Sequence, residues 1–170
     1  MKISTNCLTT LVPAAPMRLI LYLLPCVLLT ACLTEPKACQ DNPTDPATET
    51  FDPSLGVNLA NMSRTNIGDY EQDLVVGTGA TLSTLSVVEI HYSAWLVNGT
   101  LVDQIQDQNY PVDLRTGSTI GLADGMLGMS VGGERLIVSP SELALGACGR
   151  GAIPGNSTIV YKVDLLAIDN

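Results

Sequence analysis

The sequence predicts an α+β domain over residues 66–170, an antiparallel sheet wrapped around one short helix. Three observations predict it. Residues 87–96 form a β-rich run ending at Asn98-Gly99, a pair suited to the positive φ angles of a tight hairpin turn, so Leu101-Val102 begins a return strand. Residues 158–168 alternate, with Ile159, Tyr161, Val163 and Leu165 on one face and Lys162 and Asp164 on the other. Only residues 121–129 space apolar side chains as a helix does, at Leu122, Met126 and Met129, enough for about two turns.

The remaining elements follow from the same patterns. Asp73-Leu74-Val75-Val76 reads as a strand that runs into the glycine turn Gly77-Thr78-Gly79. This turn lacks the third glycine and the following helix that a phosphate-cradling loop requires. Glu134-Arg135-Leu136-Ile137-Val138 is a further strand, closed by Ser139-Pro140.

Upstream of the domain the chain reads as an address and a tether. Met17-Arg18 puts a cation before the apolar run 19–29, the layout of a signal peptide over residues 1–31, and Met17 is an alternative initiator to Met1. The run is shorter than the roughly 20 residues a bilayer span needs. Leu29-Thr30-Ala31-Cys32 resembles a bacterial lipobox, in which the cysteine is diacylated and becomes the new N-terminus. Residues 32–65 are expected to be a flexible tether, because Pro36, Pro43, Pro46 and Pro53 lie among Asp, Thr and Glu, a composition that builds no core. The expected location is therefore the cell envelope, held by lipid on Cys32. Leu33 after the cysteine favours the outer membrane in a cell that has two.

Charge and composition exclude other classes. The formal net charge is −9, and the signal contributes only cations, Lys2 and Arg18, so the mature chain is more acidic still. Such a surface repels phosphate backbones, and no nucleic-acid partner is expected. There is no C-x-x-C pair and His91 is the one histidine, so neither a structural zinc site nor a cofactor is expected. Cys39 and Cys148 remain once the signal and the lipidated cysteine are set aside. Outside the cytoplasm they are either a disulfide or two free thiols. With one Phe, one Trp and 4% aromatic residues, any pocket is walled mainly by aliphatic side chains.

Four stretches, in order and in spacing, carry a resemblance. They are His91-Tyr92 with Asn98-Gly99 and Val102-Asp103; residues 125–135, Gly-Met-Leu-Gly-Met-Ser-Val-Gly-Gly-Glu-Arg; residues 139–146, Ser-Pro-Ser-Glu-Leu-Ala-Leu-Gly; and residues 153–166, which begin Ile-Pro-Gly. Together they resemble the FKBP-type peptidyl-prolyl cis-trans isomerases. The resemblance implies the FKBP-like form of the predicted fold and rotation about X–Pro amides of unfolded or secreted chains. That rotation has a barrier of roughly 18–20 kcal/mol because it breaks amide resonance. An apolar pocket favours the twisted amide, so no nucleophile or metal is required.

The resemblance also implies the site. Tyr92 matches the family's pocket tyrosine and Asp103 its aspartate. Ile153 falls where a backbone N–H meets the substrate carbonyl, and Tyr161 stands for a wall phenylalanine. Val102 and Val112 replace two further phenylalanines, Leu122 the floor tryptophan and Leu145 a tyrosine, while Ile120 lies beside the proline ring. The retained residues point to an active isomerase, expected to be a monomer, that assists folding of envelope proteins. The missing aromatics point to the alternative, an anchored peptide-binding or chaperone module with weakened catalysis. An anchored structural lipoprotein is a third reading and leaves the pocket residues without a role.

Overall fold

The computed structural model describes residues 39–106 and 111–169. The signal peptide, Cys32 and the start of the tether lie outside these residues. Among the described residues, seven strands form one antiparallel sheet: β1 (Ser63–Arg64), β2 (Tyr70–Val75), β3 (Val87–Leu96), β4 (Leu101–Ile105), β5 (Pro111–Asp113), β6 (Glu134–Ser139) and β7 (Ile159–Asp169). The spatial order is β1-β2-β6-β7-β3-β4, with β5 on the same edge of β3 as β4. The α-helix among the described residues, α1 (Ile120–Gly125), lies between β5 and β6 in the chain. The antiparallel sheet with one short helix expected from sequence is thus the architecture observed, with β1 and β5 as strands the sequence patterns did not reveal.

Alternation builds the two faces. On β7, Ile159, Tyr161, Val163 and Leu165 enter the core below the helix with Val88, Ile90 and Ala94 of β3. Val160 faces the opposite way and is equally buried. A bulge opposite Glu89/Ile90 shifts the parity of β7, which lets Ile168 rejoin the inner core.

The helix is shorter than the two turns expected. Thr119 caps its start by accepting the Leu122 N–H, and Met126 ends it before Gly128, which turns the chain at φ +81°. Met126 and Met129 still reach the core from the turns that follow. Gly121 and Gly125, one helical turn apart, face β6. A Cβ on Gly121 would stand 2.3 Å from Ser139 Oγ, and one on Gly125 would stand 2.6 Å from Ile137. Only glycine permits this approach, and it sets the helix directly on the sheet. Arg135 of β6, which is buried, holds the other end. It donates to the carbonyls of Gly125 and Leu127 at 2.9 Å and pairs with Asp73 and Glu71 of β2.

The flexible tether expected over 32–65 is corrected where it is described. Residues 39–65 fold as three 3-10 turns and β1, and they belong to the same compact unit as the sheet. Asp45, Asp52 and Asn58 cap the turns, and Pro46 and Pro53 occupy first positions in two of them, where a missing N–H is harmless. Phe51, Leu55, Val57, Leu59 and Met62 pack with Tyr70 over Leu136, Val138 and Val160 on the outer face of the sheet. The prolines shape turns, and the apolar residues between them supply the cover that composition alone concealed. Cys39 and Cys148 are joined by a disulfide, which decides between the two alternatives left open above.

Candidate functional site

A cavity of about 630 Å³ opens between the β3–β4 hairpin, β5, the start of α1 and the loop that follows β6. Tyr92 and Ala94 of β3 and Ile159 and Tyr161 of β7 form its back, with Leu122 of α1 and Val112 of β5 beside them. Val102, Asp103, Leu145 and Ile153 complete the wall. Eight of the nine residues anticipated from sequence therefore come together. The ninth, Ile120, does not line the cavity, and it is 64% exposed because it begins α1 on the solvent side.

Strand register explains the polar pair at the mouth. Asp103 lies opposite Ala94 in the β3–β4 ladder, and Tyr92 lies opposite Ile105, with a bulge at Ala94/Trp95. This offset brings the Tyr92 hydroxyl to Asp103 Oδ2, to which it donates at 2.7 Å. Asp103 Oδ1 accepts the N–H of Gln104 at 2.9 Å, so the carboxylate is oriented by both oxygens.

Tyr161 is held from the other side. Its ring meets that of Tyr92 edge-on, with centroids 6.3 Å apart. Its hydroxyl lies 3.1 Å from Thr119 Oγ1, the atom that caps α1. Burial pushes the Tyr161 phenol up to about 12, so it stays protonated and remains a hydrogen-bond donor at neutral pH. Thr119 is a site residue that sequence reasoning missed. Its signal was the capping position just before the apolar helix spacing.

One expected role is corrected. The N–H of Ile153 donates to the carbonyl of Arg150 at 2.9 Å, while the Arg150 N–H donates to the Ile153 carbonyl at 3.0 Å. This closed pair stiffens the loop and leaves the Ile153 N–H committed. At the start of α1, Gly121, Leu122 and Ala123 also spend their N–H groups, on Leu143 O, Thr119 Oγ1 and Thr119 O. The N–H of Ile120 has no acceptor among the described residues.

Behind the cavity, under Gly121, the Asp69 carboxyl is fully buried. Loss of solvent pushes it up to about 6, partly opposed by the neighbouring Ser139 hydroxyl and reinforced by the charges of Asp124 and Glu71.

The arrangement suits binding of an apolar ring flanked by peptide: aliphatic walls, two tyrosines and a fixed carboxylate. The sequence model of the FKBP-type peptidyl-prolyl cis-trans isomerases matches residues 79–166. A curated FK506-binding protein of Neisseria meningitidis serogroup B is 37% identical over 101 residues, covering 57% of this chain and 93% of that protein. The FKBP-type peptidyl-prolyl cis-trans isomerase FkpA of Aeromonas hydrophila is 37% identical over 95 residues, covering 55% of this chain but only 35% of its own length. Among solved structures, a peptidyl-prolyl cis-trans isomerase of Pseudomonas syringae superposes with a TM-score of 0.60 at 25% identity, covering 65% of this chain and 82% of its own. The chain belongs to the FKBP-type peptidyl-prolyl cis-trans isomerase family.

Proposed function

We propose that the chain catalyses cis-trans isomerisation of X–Pro bonds in unfolded or newly secreted proteins of the cell envelope, as a monomer anchored by lipid on Cys32. The observation that carries this reading is the convergence of Tyr92, Asp103 and Tyr161 on a cavity whose aliphatic walls include Val112, Leu122 and Ile159. A proline ring entering it leaves water for aliphatic contact, and the amide loses charge separation as it twists. The peptide carbonyl assigned to Ile153 from sequence goes instead to the N–H groups of Ser118 and Thr119, which belong to lining residues and have no acceptor among the described residues. Ile120 then has no part in the site.

A Cys39–Cys148 disulfide supports the envelope location, because such bonds persist in oxidising compartments. The anchor itself rests on the Leu29-Thr30-Ala31-Cys32 pattern, and metabolic labelling with a fatty-acid probe tests it: label lost in Cys32→Ser supports the anchor, and label retained removes it.

A second reading has one specific observation in its favour. Val102, Val112 and Leu145 stand in the wall where the resemblance implies aromatic rings, and each lost ring removes contact area from the substrate. The full chain assayed on short X–Pro peptides and on proline-limited refolding separates the two. Acceleration of both establishes the isomerase. A folded protein that binds the peptides without accelerating them is a peptide-binding or chaperone module instead.

A further inference from the structure

Five basic side chains lie among the described residues, and four are engaged. Arg64 stacks 5.3 Å from the centre of the Tyr70 ring, Arg115 grips Asp113, Arg135 pairs with Asp73 and Glu71, and Lys162 pairs with Glu134. The guanidinium of Arg150 has no ion pair, hydrogen bond or ring contact among the described residues. Arg150 is also the basic residue among those that line the cavity.

The lining carboxylates do not offer it a free partner. Asp103 holds the Tyr92 hydroxyl and the Gln104 N–H, and Asp113 gives both oxygens to Arg115. The backbone of Arg150 is fixed all the same. It is locked to Ile153 by two reciprocal hydrogen bonds, two residues from the disulfide at Cys148. An exposed cation is thus held at the mouth of the site on a stiff loop, in a chain whose net charge is −9.

We propose that Arg150 is a specificity-determining residue that favours X–Pro segments carrying a carboxylate side chain beside the proline. The proposal rests on the cavity being the prolyl site. A long, flexible guanidinium beside the bound ring reaches the neighbouring substrate side chain, where an Asp or Glu supplies the anion that the described residues do not. The overall negative field opposes acidic substrates at long range, so the preference is local and is screened by salt. For a solvent-exposed pair the expected gain is about two- to fivefold in kcat/KM.

The test compares Glu-Pro and Gln-Pro peptides of otherwise identical sequence on the full chain, on Arg150→Gln and on Arg150→Glu. The Glu/Gln ratio of kcat/KM is expected to exceed one by two- to fivefold in the natural protein, to fall to about one in R150Q, and to drop below one in R150E. Raising the salt to 1 M is expected to bring all three ratios towards one. A loss of loop order changes both peptides together and cancels in the ratio. A ratio that is the same in all three proteins overturns the proposal. If no peptide is turned over, the isomerase reading fails on its own, and the same ratio is read from dissociation constants by titration. Equal affinities for the two peptides in the natural protein then overturn the role of Arg150.

Discussion

Tyr92 of β3 and Asp103 of β4 form a single polar unit, the phenol donating to the carboxylate across 2.7 Å at the mouth of the cavity. Removing the acceptor lets the phenol turn. Asp103→Ala is expected to lower kcat/KM on X–Pro peptides about three- to tenfold, the span of one modest hydrogen bond. Asp103→Asn keeps an acceptor and is expected to recover most of that loss. Circular dichroism of each variant confirms that the fold is intact. Full activity in the folded Ala variant would mean that the pair is not used in binding or catalysis.

Thr119 has two partners, the Leu122 N–H and the Tyr161 hydroxyl. Thr119→Ala is expected to destabilise the domain by about 1 kcal/mol through the lost cap and to weaken peptide binding through the freed tyrosine. Thr119→Ser keeps the oxygen and is expected to restore both. Denaturant melts and peptide titrations report the two effects separately.

The buried Asp69 makes stability depend on pH. Its carboxyl titrates near 6 in the folded state and at the ordinary 3.8 when unfolded, so the native state holds the proton more tightly. Stability from this group is complete below pH 4 and is lost as pH rises through about 6. Asp69→Asn is therefore expected to stabilise the protein at pH 7.5, by on the order of 2–3 kcal/mol, with little effect at pH 4. Equal effects at both pH values would show that Asp69 is not shifted.

Residues 39–65 belong to the domain. A chain cut at residue 66 exposes Leu136, Val138 and Val160, which the upstream segment covers, and loses the Cys39–Cys148 bond. Compared with residues 37–170, this shorter chain is expected to melt at lower temperature and to self-associate. In the longer chain, reduction of the disulfide alone is expected to cost about 2–5 kcal/mol, the range for closing a long loop. Matching melting curves for the two lengths would show that the segment adds nothing.

The sheet was legible because its signals are local. Alternation in β7 and the Asn98-Gly99 turn are written in consecutive residues, and the four motif stretches carry the family. The upstream segment was not legible, because its prolines read as disorder while Phe51, Leu55 and Met62 are too irregularly spaced to form a strand or helix pattern. In the site, Tyr92, Asp103 and Tyr161 could be placed from motifs. Thr119 and the committed N–H of Ile153 depend on how α1 and the loop after β6 close, which no short window of sequence records.

The disulfide also decides how the molecule carries load. Its two sulfurs bridge a sequence separation of 109 residues, so tension applied upstream of Cys39 passes directly to Cys148. The intervening chain, which includes β1 through β6 and α1, is bypassed and cannot be drawn out while the bond lasts. Among the described residues, only the stretch beyond Cys148, which includes β7, lies in the path of such a pull. Stretched in an optical trap, the oxidised protein would lengthen by that short segment alone, and the reduced protein by the whole domain.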